Sequence, residues 1–151
     1  LFFAKKITLD RYKQLREFLI LTKVNHPRII KLIGVSEKYG LIFPFLVWEN
    51  LDEVDFYAIT NKDNLLQQIN EFFAYLENTS ISLGIFDFEN DYKKRRKLID
   101  IIDLHPHNFL IKVEENHVID WKVINFEYYS NNNYQRNIIN KHNIIKLIKN
   151  N

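Results

Sequence analysis

The spacing of apolar residues in the first third of the chain predicts strands on either side of a helix. Residues 2–7 are mostly apolar around two lysines, which is typical of a short strand. Apolar side chains then recur at helical spacing over about 10–25, until Pro27 prevents the helix from continuing. Apolar runs at 29–35 and 41–47 flank a polar segment that ends in a glycine, so they predict a hairpin.

The later part of the chain predicts a second helix, a second hairpin and a tail. A broad apolar stripe at helical spacing runs through 61–77, and residues 87–100 are polar and charged, as in a surface segment. The runs 109–113 and 118–121 bracket a polar turn, and isoleucines return at near-helical spacing in the tail. This order of elements predicts an α+β fold.

Composition limits the class of protein. The chain has 151 residues, of which 46% are hydrophobic and 26% charged, so we expect one folded domain rather than a disordered chain. Its net charge of +2 is too small to indicate a nucleic-acid partner, and its lack of cysteine excludes disulfides. No apolar run is long enough to span a membrane, so we expect a soluble, intracellular protein, although the compartment stays open. Because the chain begins at Leu1 and contains no methionine, we also expect it to be a segment of a longer protein.

The stretch "IIDLHPHNFLI" at 101–111 carries the strongest chemical signal. Asp103 is followed five positions later by Asn108, and after the predicted hairpin comes Asp120. This order resembles the catalytic loop and metal-binding segment of the protein-kinase-like superfamily. The chemistry needs such residues because phosphoryl transfer depends on positioned charge, and Mg²⁺ prefers oxygen ligands.

The start of the chain resembles the same superfamily independently. "FFAKK" is similar to the kinase strand that carries the phosphate-binding lysine, and "REFLILTKVNHPRIIKLIGV" is similar to the helix and strand that follow. The resemblance covers residues 1 to about 125. It implies a partial N-lobe over 1–50, with a β-sheet and a helix like αC, and a partial helical C-lobe over 51–151 with the catalytic-loop hairpin. Together these lobes would form one kinase-like domain.

The resemblance also implies a role for each matching residue. Lys6 would hold the α and β phosphates of ATP, with Glu17 as its ion-pair partner, and Lys5 is the alternative if the register differs by one. Asp103 would orient the acceptor hydroxyl and His105 would lie near the γ-phosphate. The remaining two residues, Asn108 and Asp120, would bind Mg²⁺. The implied function is ATP- and magnesium-dependent phosphoryl transfer to a hydroxyl acceptor, as in protein kinases.

Several departures from the kinase pattern favour an alternative. Ile101-Ile102 replaces the His-Arg of the catalytic loop, Trp121-Lys122 replaces the Phe-Gly after the metal-binding aspartate, and no glycine-rich loop is present. The alternative is a pseudokinase, a scaffold or protein-binding module with weak or no nucleotide turnover. The expected partners are therefore a nucleotide and, for the alternative, a protein.

Two further motifs admit other interpretations. His105 and His107 could ligate zinc or iron together with Asp103, His117 or Asp120, but Pro106 and the lack of another suitably spaced histidine argue against such a site. The basic run 93–97 could bind nucleic acid or acidic lipid. Only one aromatic residue accompanies it, so a solvated surface segment is the simpler interpretation and nucleic acid is not expected.

Overall fold

The structure is a computed structural model that describes residues 2–5, 11–78, 81–83, 108–124, 129–131 and 134–150. In chain order its elements are β1 (Phe2–Lys5), α1 (Arg11–Lys23), β2 (Gly34–Ser36), β3 (Gly40–Pro44), β4 (Glu49–Asn50), a short 3-10 helix (Leu51–Glu53), α2 (Lys62–Asn78), β5 (Ile81–Leu83), β6 (Phe109–Glu114), β7 (His117–Val123), β8 (Tyr129–Asn131) and α3 (Tyr134–Asn150). The predicted α+β class is confirmed. The polar segment 87–100 lies outside the described residues.

The first sheet is antiparallel, with strand order β1-β3-β2. Its predicted hairpin is confirmed, and the backbone N–H of Tyr39 donates to Ser36 Oγ (3.1 Å) inside the loop. Gly40, which ends the loop, has a φ of 86°. Glycine adopts this left-handed conformation without a steric cost, which explains its position there.

One part of the first predicted hairpin has a different partner. Residues 29–33 precede β2 instead of extending it, and Ile29 forms a parallel bridge with Val123 of β7. The N–H of Ile30 donates to the carbonyl of Val123 (3.1 Å), whose own N–H donates to the carbonyl of Arg28 (2.7 Å). Both isoleucines are only 4% exposed. The apolar run therefore signals burial only at Ile29 and Ile30, whose backbone partner lies far away in the sequence, whereas Ile33 is exposed and donates its N–H to the carbonyl of Ile42 (2.8 Å).

The second sheet has the order β4-β6-β7 and contains the second predicted hairpin, which is confirmed. Two residues, Glu115 and Asn116, make its turn with φ values of 50° and 64°. Positive φ at both central residues is the geometry that matches the twist of the flanking strands in a tight hairpin. Strand β7 continues to Val123, beyond the predicted run 118–121.

The predicted second helix is confirmed as α2, and the tail, for which no element was predicted, forms the helix α3; these two helices enclose the main core. The apolar stripe of α2 is buried, and α3 packs against it through Ile144 and Ile148. Trp121 of β7 is fully buried; its ring meets Phe72 edge-on with centroids 5.5 Å apart, and its indole N–H donates to Gln68 Oε1 (2.9 Å). This tryptophan joins the second sheet to α2 by both packing and a hydrogen bond.

Two features were not predicted from the sequence. Strand β4 is only two residues long and pairs with β6, while β5 and β8 form a separate antiparallel pair. Strands this short carry too few residues for an alternating pattern to be visible. Among the described residues, none of the helices has the length and apolar character needed to cross a membrane.

Candidate functional site

The side chain of Glu17 lies on the inner face of α1. It is 1% exposed, in the same part of the helix as the buried Ile20. Helix α1 packs on β3, and β3 pairs with β1, which ends with Lys5 opposite Leu41. A carboxylate this deeply buried is stable only when hydrogen bonds or a cation compensate for lost hydration. The position of Glu17 therefore suits the ion pair predicted for it, while Lys6 lies outside the described residues.

Asn108 stands at the start of β6, where the hairpin returns. Its backbone carbonyl accepts a hydrogen bond from the N–H of Ile124 (2.9 Å), the residue directly after β7. The side chain is partly buried. The prediction that the hairpin brings the chain back to Asn108 therefore matches the backbone, but the residue that arrives there is Ile124.

Asp120 lies in the middle of β7, opposite Lys112. Lys112 lies four residues after Asn108, and strands advance by about 3.3 Å per residue. Asp120 is therefore roughly 13 Å from Asn108 along the strand direction. It also lies on the face opposite to the buried Trp121, because side chains of neighbouring strand residues point to opposite faces. The structure does not bring Asp120 and Asn108 to one point, since β7 runs past the aspartate before it reaches the asparagine.

The carboxylate of Asp120 has a local structural role. Its Oδ1 accepts hydrogen bonds from Nη1 of Arg28 (2.7 Å) and from the backbone N–H of Trp121 (2.7 Å). The Arg28 guanidinium also lies over the Trp121 ring, 5.3 Å from its centroid. An arginine that pairs with a carboxylate while it covers an indole is held in place by both contacts.

Sequence reasoning did not identify Arg28. Its partner is 92 positions away, and no local pattern marks the pair. A second signal, present in the sequence, was missed: Ile124 is followed by Asn125 and Phe126. This amide and this aromatic residue come directly after the hairpin, and sequence reasoning did not consider them as part of a site.

The other predicted site residues cannot be placed. Asp103, His105 and His107 lie outside the described residues, as does the basic run 93–97. Within the described ranges no three histidine or acidic side chains are grouped so that they could hold a metal ion.

Comparisons with known proteins support the fold. No protein-family model and no curated protein sequence matches the chain. A crystal structure of the Rad53 kinase domain and SCD2 is similar to it, with a TM-score of 0.62 and 20% sequence identity. The match covers 97% of this chain and 56% of that chain, so the present chain spans little more than half the length of its structural neighbour. A likeness at this identity concerns the fold alone, and the chain has a partial protein-kinase-like fold.

Proposed function

We propose that this chain is a pseudokinase module, which binds other proteins and has weak or no phosphoryl transfer. The observation that carries the proposal is the register of the β6–β7 hairpin, in which Ile124 instead of Asp120 meets Asn108. Asp120 carries the only carboxylate of strand β7, and this carboxylate is paired with the Arg28 guanidinium.

The charge available for Mg²⁺ supports the same proposal. The residue that follows Ile124 in sequence is Asn125, and an amide is neutral where a kinase has a carboxylate. Mg²⁺ in nucleotide sites is bound through one or two carboxylates together with the substrate phosphates. A site with amides in place of the metal-binding aspartate holds the ion weakly, so we expect the β and γ phosphates to be poorly neutralised.

One of the departures from the kinase pattern points in the same direction. Ile101-Ile102 replaces the His-Arg that usually precedes the catalytic aspartate. Trp121 is not a departure in this register, because Ile124 instead of Asp120 meets Asn108; it is a fully buried core residue that bonds to Gln68. A residue with this packing role is suited to holding the hairpin on α2.

The second candidate is an active phosphotransferase, favoured by the burial of Glu17 on α1. A buried glutamate on the helix that packs beside β1 is what a lysine and glutamate pair for ATP phosphates requires. In this candidate Lys6 and Glu17 hold the nucleotide, Asp103 orients the acceptor hydroxyl, His105 lies by the γ-phosphate and Asn108 contributes to the magnesium site. ATP and Mg²⁺ would then supply the phosphoryl group and the charge that neutralises it.

Phosphate transfer and thermal shift separate the two candidates. Purified protein is incubated with magnesium and ATP labelled in the γ-phosphate, and protein and free phosphate are analysed for label. We expect no magnesium-dependent transfer, and any thermal shift with Mg-ATP should be unchanged in Asp120→Asn. Transfer that needs magnesium and disappears in Asp103→Asn would overturn the pseudokinase proposal and establish the second candidate.

A further inference from the structure

Residues 25–30, which follow α1, attach that helix to the end of β7. The backbone of this segment exchanges hydrogen bonds with Val123 on both sides of Ile29, from Ile30 N–H and to Arg28 C=O. The Arg28 side chain adds the ion pair with Asp120. The segment thus forms one isolated parallel bridge with β7, and Val123 directly precedes Ile124, the residue that bonds to Asn108.

His26 ties the same segment to α2. Its imidazole lies edge-on to Phe72, with ring centroids 5.3 Å apart, and 4.9 Å from the Tyr75 ring. The Tyr75 hydroxyl accepts a hydrogen bond from the N–H of Asn25 (2.7 Å). On the other side of the ring, His26 Nδ1 accepts the backbone N–H of Arg28 (3.1 Å). A ring nitrogen accepts a hydrogen bond only while it carries no proton, so the arrangement depends on the neutral imidazole.

The charges around His26 oppose a second proton on its ring. Burial lowers the pKa of His26 from 6.5, and the neighbouring Arg28 guanidinium lowers it further. Lys122 of β7 acts in the same direction and also donates to the Pro27 carbonyl, whereas Glu71 of α2 raises the pKa. Protonation of His26 therefore adds a third positive charge beside those of Arg28 and Lys122, and it removes the acceptor for the Arg28 backbone N–H.

We propose that residues 25–30 form a pH-sensitive latch, which holds α1 to the end of β7 while His26 is neutral and opens when its imidazole takes up a proton. The stabilisation by the neutral ring is complete above the unfolded-state pKa of 6.5, because the folded pKa is lower. It is lost as the pH falls through 6.5 towards the folded pKa. Opening releases Val123, so the connection from α1 to the neighbour of Asn108 weakens.

Trp121 fluorescence tests the latch, because the Arg28 guanidinium covers its ring. The other tryptophan, Trp48, is first replaced in the full chain by Trp48→Phe so that Trp121 is the only emitter. From about pH 7.5 to about pH 5, we expect a red shift of the emission with a midpoint below the ordinary histidine value. Adding His26→Asn should abolish the shift, since the asparagine Oδ1 can accept the Arg28 N–H without titrating.

His142→Asn, which replaces an exposed histidine of α3, is the matched control and should leave the shift intact. The latch is refuted if the shift persists in His26→Asn or if Trp48→Phe protein shows none. Should His26→Asn fail to fold, an NMR titration of the imidazole in the unsubstituted chain replaces it. A His26 midpoint that differs from the midpoint of the Trp121 signal then counts against the proposal.

Discussion

Arg28 and Asp120 form an ion pair between the segment after α1 and the middle of β7, with Nη1 and Oδ1 2.7 Å apart. The two side chains are 21% and 35% exposed, so water screens the pair only in part. The same arginine covers Trp121, which gives it a packing role beside the electrostatic one. This pair occupies the carboxylate that the sequence alone assigns to magnesium.

The ion pair should contribute modestly to stability. We expect Arg28→Ala and Asp120→Asn each to lower the free energy of unfolding, with a coupling of about 1 kcal/mol or less in the double variant. Asparagine is chosen because its Oδ1 can still accept the Trp121 N–H. Urea unfolding of the four proteins measures the coupling, and Lys31→Ala, at an exposed position, is the control. Strictly additive effects would show that the pair adds nothing beyond its separate parts.

Asn61, directly before α2, should stabilise the fold through its side-chain amide. Its Nδ2 donates to the Val118 carbonyl (2.8 Å) and its Oδ1 accepts the Val118 N–H (3.0 Å), as a neighbouring strand would. Asn61→Ala leaves both partly buried backbone groups without this partner, so we expect a loss of about 1–3 kcal/mol in unfolding free energy. Asn64→Ala, on the exposed side of α2, is the comparison and should change little. Equal losses in the two variants would contradict the assigned role.

The turn of the second hairpin can be improved. Glu115 adopts a φ of 50°, a backbone conformation that is strained for residues other than glycine, asparagine and aspartate. We expect Glu115→Asn to raise the free energy of unfolding by up to about 1 kcal/mol. Asn116→Ala, at a φ of 64°, should have the opposite effect, because alanine tolerates that conformation less well. Thermal unfolding of both variants tests whether the two changes in stability have opposite directions. A lower stability of Glu115→Asn would refute the argument.

Trp121 should stabilise the fold through its indole hydrogen bond as well as through the apolar surface that it buries. Trp121→Phe removes the N–H that donates to Gln68 Oε1 and leaves space in a fully buried site. We expect a loss of about 2 kcal/mol or more in the free energy of unfolding. Trp48→Phe, at a partly buried position, serves as the matched control and should cost less. Chemical unfolding followed by far-UV circular dichroism avoids reliance on tryptophan emission, and equal costs would argue against the importance of this bond.

The sequence by itself determined the elements that depend on local periodicity. The helices α1 and α2 and both hairpins follow from residues close together in the chain, where apolar spacing and turn residues act directly, while the isoleucine spacing of the tail gave only a weaker signal of α3. The same local information supported the kinase-like fold and the inward position of Glu17.

Only the tertiary structure decided which residue of β7 meets Asn108 and what Asp120 binds. Strand register depends on where the hairpin turn falls and how far the strand continues, and a small difference there moves every later residue. The partner of Asp120 comes from a segment 92 residues earlier, which docks because Ile29 and Ile30 are buried beside Val123. Local sequence patterns do not predict such contacts, because burial and charge pairing join these residues only after the elements have packed together.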